Sequence, residues 1–235
     1  GTASAQSSLN IYGVADVWVG NQRVDGVSST RLGSGGLAGS RLGFKGTEDL
    51  GGGLKAGFNF EQGLSLGDGS ISTAGAGDFG RAAWMNLSGG FGDLRLGRSL
   101  TPSFYGIAAW ELTGTANYSA VANQFAFAGA GSRNNAHIGY TTPNFGGLTA
   151  TIGTTLEGND ASAADGLQSK YDMNVIYKGG PISAGFSYNK VKGAEKNWSI
   201  GAAYNLGVAT VAASYQDPAG ASKGFTIGAS APMGP

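Results

Sequence analysis

One histidine, no cysteine and four well-spaced arginines bound the chemistry this chain can do. His137 is the only histidine in 235 residues, and cysteine is absent. A metal site would therefore lack partners, and no disulfide framework exists. Gly63-Leu64-Ser65-Leu66-Gly67 has the spacing of a nucleophile elbow, and Asp78 and His137 follow it in hydrolase order. That elbow needs a sharp strand-to-helix turn in an α/β sheet, a context the surrounding residues do not offer. Gly75-x-Gly77-x-x-Gly80 matches a dinucleotide fingerprint but lacks a βαβ setting. Asp160 and Asp165 share a polar loop without EF-hand spacing. What remains is fixed charge: Arg41, Arg81, Arg98 and Arg133, with Glu111 as the only Asp, Glu, Lys, Arg or His in 100–132. Such charges break no bonds; they steer ions.

Composition narrows the setting for those charges. Lys plus Arg is 15 and Asp plus Glu is 15, so the net charge is zero, which argues against a nucleic-acid partner. Charged residues are 13% of the chain, about half the usual ~25%. Hydrophobic residues at 41% and aromatics at 10% argue against disorder. Six prolines exclude collagen despite 44 glycines. No stretch passes the ~20-residue apolar test for a membrane helix. Leu112–Ser132 is uncharged, but it is filled with Gly, Ser, Thr and Asn. Membrane strands need only about 9–11 residues and alternate in polarity. Thr2-Ala3-Ser4-Ala5 before Gln6 reads as the small-residue end of a secretory signal, with residues 1–5 its remnant.

The elements that would position the charges are strands. Trp198, Ile200, Ala202 and Tyr204 oppose Asn197, Ser199 and Asn205. Tyr171, Met173, Val175 and Tyr177 oppose Lys170, Asp172, Asn174 and Lys178. This period of two recurs in twelve candidate strands: 8–22, 37–46, 54–63, 79–88, 93–99, 133–142, 147–156, 170–178, 181–190, 196–205, 207–216 and 223–231. Residues 47–53 read as a turn, and tight turns also follow at 89–92, 143–146 and 178–181, while 23–36, 64–78, 100–132 and 157–169 read as long loops. Short turns at one end and long loops at the other suit an antiparallel transmembrane β-barrel. A β-sandwich also alternates. However, the polar face here is Asn, Ser, Thr and Gly rather than a Lys/Glu mixture, and the apolar face often ends in tyrosine, as a membrane girdle would.

Particular segments carry a family resemblance. Ser8-Leu9-Asn10-Ile11-Tyr12-Gly13-Val14-Ala15-Asp16 resembles the first strand of Gram-negative trimeric general porins of the neisserial and betaproteobacterial type. Residues 40–51, Ser-Arg-Leu-Gly-Phe-Lys-Gly-Thr-Glu-Asp-Leu-Gly, are similar to that family's second strand and first periplasmic turn. Arg81 to Gly89, Phe91-Gly92, Leu96-Gly97-Arg98 and Arg133-Asn134-Asn135 with Tyr140-Thr141-Thr142-Pro143 fit it too. The resemblance covers about Gln6 to the last residue, giving one porin barrel over 6–235. It implies about sixteen strands, within the even-numbered range of such barrels. Pro232-Met233-Gly234-Pro235 reads as a turn after the twelfth strand, so the resemblance implies that the C-terminal strands and terminal aromatic are missing.

The resemblance also implies a role. It implies an outer-membrane passive diffusion channel for small hydrophilic solutes and ions, working as a homotrimer among outer-membrane lipid and lipopolysaccharide, with no cofactor and no enzymatic activity. Residues 100–132 occupy the place of the family's inward-folded constriction loop, opposite a basic ladder of Arg41, Arg81, Arg98 and Arg133. Strand parity puts Arg41 and Arg133 opposite the apolar face. Arg81 shares phase with Met85 and Arg98 with Leu96, so a bulge or a position above the hydrocarbon band is needed for those two. Lumen-facing candidates by parity are Asp16, Lys45, Lys55, Glu61, Arg95, His137 and Asp172. Seven basic residues (Arg41, Lys45, Lys55, Arg95, Arg133, Lys170, Lys178) face three acidic ones (Asp16, Glu61, Asp172), a weak lean towards anions. An outer-membrane barrel enzyme or adhesin, and a soluble secreted β-protein, are the alternative readings.

Overall fold

The alternation is realised as one antiparallel sheet. The computed structural model describes residues 8–71, 77–124, 132–156, 169–220 and 222–233. Its strands are β1 (Ser8–Val14), β2 (Val17–Val24), β3 (Val27–Ser34), β4 (Arg41–Gly51), β5 (Leu54–Gly63), β6 (Ala82–Gly89) and β7 (Gly92–Leu100). Two short helices follow, α1 (Pro102–Ala108) and α2 (Ala120–Gln124). The remaining strands are β8 (Arg133–Thr141), β9 (Leu148–Thr155), β10 (Lys170–Gly179), β11 (Ile182–Val191), β12 (Lys196–Asn205), β13 (Thr210–Asp217) and β14 (Gly224–Ser230). Twelve of them form the sheet in the order β1-β4-β5-β6-β7-β8-β9-β10-β11-β12-β13-β14. β1 and β14 are its edges and do not pair with each other. Residues 1–5, Gly75, residues 125–131 of the 100–132 segment, residues 157–168 with Asp160 and Asp165, and the last two residues of the 232–235 turn lie outside the described residues.

Two expected boundaries move, each for a local reason. The first expected strand, 8–22, breaks at Ala15-Asp16. There the Asp16 backbone N–H donates to Ser40 Oγ at 3.0 Å instead of to a neighbouring strand. The chain leaves the sheet and builds a separate hairpin, β2–β3, whose first strand takes the second half of the expected strand and whose second strand lies in what read as the long loop 23–36. Its turn is Asp25-Gly26, with φ of 50° and 84°. Positive φ at both central residues is the geometry that Asp-Gly between hydrophobic residues favours. The expected turn at 47–53 shrinks to its glycines, because Thr47–Asp49 stay paired with Lys55–Gly57. Gly51, Gly52 and Gly53 all have positive φ, which explains three glycines in a row.

The sheet is polar where a soluble protein is apolar. Asn189, Asn197, Ser199 and Gln216 are fully buried, whereas Met85, Ile152, Ile200 and Ile227 on the opposite face are 61%, 58%, 53% and 81% exposed. On β12 the pattern is strict: Asn197, Ser199, Gly201 and Ala203 are buried, while Ile200, Ala202 and Tyr204 are exposed. A water-soluble sandwich buries the opposite set. An apolar outer band with a polar interior is what hydrocarbon outside and water inside require. Among the described residues, a small apolar cluster of Ile107, Trp110, Val121, Ala203 and Ala212 joins the 101–124 segment to the inner wall.

Candidate functional site

The site is built where the segment after β7 folds against the polar face. α1 starts at Thr101, whose hydroxyl accepts from the Phe104 N–H at 3.0 Å, with proline in the first turn where its missing N–H costs nothing. The helix is then tied to the wall by Ser103. Its backbone N–H and its hydroxyl both donate to the Asp172 carboxylate, at 2.5 and 3.0 Å. Its carbonyl accepts from Ser187 Oγ at 2.8 Å, and Asn174 Nδ2 donates to the Pro102 carbonyl at 2.7 Å. Glycines allow the approach: a Cβ on Gly185 would lie 2.0 Å from the Gly106 carbonyl oxygen, and one on Gly201 would lie 2.2 Å from the Trp110 ring. Side chains on these strands would push the helix off the wall.

The far end of the segment is tied elsewhere. Asn117 donates its side-chain amide to the Gly35 carbonyl at 2.7 Å and its backbone N–H to the Leu37 carbonyl at 2.8 Å. Between these two anchors, Glu111 is occupied locally. It accepts from the Thr113 N–H at 2.9 Å, the Thr115 N–H at 2.7 Å and Ser119 Oγ at 2.9 Å.

Facing α1 across a gap of about 400 Å³ is a cluster of Arg41, Arg81, Arg133 and Glu61. Glu61 pairs with Arg81 at 2.7 Å and lies 3.7 Å from Arg41, and Tyr12 Oη donates to its other oxygen at 2.8 Å. Arg133 Nε donates to the Arg81 carbonyl at 2.8 Å. Three guanidiniums and one carboxylate leave a net +2 on this wall (3 − 1). Phe104, Tyr105, Thr115 and Asn117 line the other side, without a charge. An uncharged wall facing a cationic one concentrates anions in the gap.

The expected site residues divide into those that meet here and those that do not. Arg41, Arg81, Glu61 and Arg133 meet. Arg81 does so because it precedes β6 and hydrogen-bonds across to Glu61, so strand phase does not bind it. Arg133, which parity put opposite the apolar face, opens β8 and lines the gap. A register shift between Gly97 and Ser99 leaves both Asn134 and His137 buried, three residues apart. Arg98 sits at that shift and turns away, donating Nε to the Gly80 carbonyl at 2.7 Å and bonding Asn135. Glu111 lies within the inward segment, and Asp172 is buried beneath it.

The other parity candidates lie further along the wall. Lys45 sits 5.2 Å over the Tyr12 ring, and Arg95 sits 4.3 Å over Trp84 with Asp93 3.7 Å away. Such stacking on a ring fixes a cation without neutralising it. His137 is buried against Gly139 and Gly153, where a Cβ on Gly153 would meet the imidazole at 2.0 Å. Lys55 is exposed near the short-turn end, opposite Asp49. Asp16 lies in the loop after β1, where the N–H groups of Ala38, Leu37 and Gly36 hold its carboxyl below the usual carboxylate range. Ser65 is in a turn closed by Gly69 N–H to its carbonyl at 2.9 Å, not at a strand-to-helix elbow.

Sequence reasoning missed Tyr12, Trp84, Ser103, Tyr105 and Asn117. Tyr12 was within reach, since it shares the polar phase of Asn10. Ser103, Tyr105 and Asn117 carry no local signal, because their roles depend on where a loop lands.

Known proteins resemble this arrangement. The Gram-negative porin family matches residues 1–235. Outer membrane porin protein 32 of Delftia acidovorans is 39% identical over 203 residues, covering 83% of this chain and 57% of the relative. A major outer membrane protein P.IB of Neisseria gonorrhoeae is 29% identical over 187 residues, covering 74% and 49%. The chain thus spans about half the length of these curated relatives. The solved anion-selective porin from Comamonas acidovorans superposes with a TM-score of 0.80 at 34% identity, covering 97% of this chain and 75% of that one. OmpT of Vibrio cholerae, at 15% identity and a TM-score of 0.59, shares the fold.

Proposed function

The chain belongs to the Gram-negative porin family of the bacterial outer membrane, and on that premise we propose that it forms the greater part of a passive diffusion channel for small hydrophilic solutes and ions, with a preference for anions. The observation that carries the preference is the Arg41–Arg81–Arg133 cluster, compensated only by Glu61, facing a segment whose own carboxylate, Glu111, is occupied by local donors. Of the 100–132 segment, the described residues 100–124 act as the constriction in this reading, and no covalent chemistry is involved. The anion-selective character named for the Comamonas structure supports it.

Diffusion then follows from electrostatics. A unit charge about 8 Å from a passing ion in water is worth about 0.5 kcal/mol, roughly a factor of two in local concentration. Salt shortens that reach, to a Debye length of about 10 Å at 0.1 M. We also infer that the free edges of β1 and β14 pair with further strands in the membrane, because hydrocarbon does not tolerate unpaired backbone groups. The assembly is a homotrimer, each copy with its own pore.

The test is single-channel conductance in a planar bilayer under a low-salt KCl gradient. Insertion in groups of three with an anion-directed reversal potential is the expected result. Arg133→Glu or Arg41→Glu should move that potential towards cations. An unchanged potential in both variants removes the cluster from the selectivity mechanism.

A further inference from the structure

One turn touches both sides of the gap. Residues 35–39 connect the β2–β3 hairpin to β4, and three of their backbone N–H groups, on Gly36, Leu37 and Ala38, donate to the Asp16 carboxylate, each at 2.8 Å. Asp16 is itself fixed: its carbonyl accepts from Ser40 Oγ at 2.9 Å and from the Gly35 N–H at 2.8 Å. Carbonyls of the same turn, those of Gly35 and Leu37, receive Asn117. Its last residue borders the cationic wall. Arg41 Nη1 donates to the Gly39 carbonyl at 3.0 Å, and a Cβ on Gly39 would lie 2.7 Å from Arg81 Nη1.

The inward segment is anchored at its start by Asp172 and Ser103 on β10 and α1. Trp110 and Val121 pack its middle onto the same wall with Ala203 and Ala212, which leaves the side facing the 35–39 turn to be tied. Asn117 supplies the tie to the opposite side, and what it grips is a turn whose N–H groups converge on one carboxylate. We infer that Asp16 is a positioning residue for the pore: through the 35–39 turn it sets the distance between Asn117, on the constriction segment, and Arg41 and Arg81, on the opposing wall. This rests on the reading of 100–132 as the constriction. Asp16 touches no permeating ion. A carboxylate suits the task because it accepts several N–H bonds at once, and charge-assisted bonds of that kind are roughly twice as strong as neutral ones.

The experiment compares the full chain with Asp16→Ala, Asp16→Asn, Asn117→Ala and the Asp16→Ala/Asn117→Ala double variant. Arg133→Gln is measured in parallel. Single-channel records in KCl are taken only from protein that keeps its heat-modifiable mobility on gels. Asp16→Ala and Asn117→Ala should each lose the steady wild-type conductance level and flicker between levels. Asp16→Asn, which keeps one acceptor oxygen, should be affected less. The double variant should match the more affected single, since both cut one linkage. Wild-type currents in Asn117→Ala and Asp16→Asn overturn the proposal even if Asp16→Ala does not fold, and so does an additive double variant. If those two are silent while Arg133→Gln shifts the reversal potential, the clamp fails and the constriction stands. If Arg133→Gln is silent as well, the constriction reading fails with it.

Discussion

Asp172 of β10 receives both the backbone N–H and the hydroxyl of Ser103, so a single buried carboxylate holds the start of the inward helix to the polar wall. Hydrogen bonds to charged groups are worth about 1.5–3 kcal/mol. Asp172→Ala removes two of them at once and leaves Ser103 without that acceptor. The expected outcome is a folded channel with raised conductance and weaker ion selectivity, together with a lower unfolding temperature. Single-channel recording and thermal melts in detergent check it.

Glu61 is the one carboxylate in the cationic cluster, and it serves Arg81, Arg41 and Tyr12 together. Glu61→Gln raises the wall from +2 to +3 (three arginines, no carboxylate). The reversal potential should move further towards anions, by about a factor of two in permeability ratio from one unit charge. Stability should fall by about 1–3 kcal/mol as Arg81 loses its partner. An unchanged permeability ratio at low salt would place the ion path away from this wall.

Arg81 and Arg98 share the unfavourable phase but have different fates. Arg81 lines the gap, whereas Arg98 is spent on the Gly80 carbonyl and Asn135. Arg81→Gln should therefore lower anion preference more than Arg98→Gln. Reversal potentials of the two variants, measured side by side in one gradient, decide the order.

Gly201 lies beneath the Trp110 indole, where a Cβ would come within 2.2 Å of the ring. Overpacking at such a contact costs about 1–3 kcal/mol. Gly201→Val should displace Trp110 from the wall. The readout is a red shift and loss of its fluorescence share, with altered conductance and the strand content by circular dichroism retained.

Asp16 gives the loops an acid sensitivity of defined sign. Its carboxyl is lowered from 3.8 chiefly by the Ala38 and Leu37 N–H groups, opposed by desolvation and helped by Gly36. A carboxyl lowered in the folded state contributes fully above its ordinary value and loses that contribution as pH falls through the lower native one. The 35–38 turn should thus hold at pH 5 and loosen only below the ordinary value of 3.8. Hydrogen exchange of the Gly36, Leu37 and Ala38 amides against pH measures this, and Asp16→Asn should abolish the dependence.

The wall is legible in the order of the residues. A period of two with Asn and Ser on one face and Ile, Met and Tyr on the other needs no tertiary information, because each pleat assigns its own side chain to water or to lipid. Asp25-Gly26 between valines likewise announced the hairpin that broke the first strand, a local signal open to reading. The site was legible only in part: parity supplied Arg41, Glu61 and Arg133, and folding brought the rest to them. Parity already gave Arg41 and Arg133 to the polar side, but that Arg81 enters the gap while Arg98 is spent on the Gly80 carbonyl and Asn135 is set by contacts across the sheet. Ser103 and Asn117 matter because a loop crosses to β10 in one place and to the 35–39 turn in another. Those contacts join residues 69 and 82 positions apart, and their energy depends on folding the sheet around the loop rather than on any neighbour in sequence.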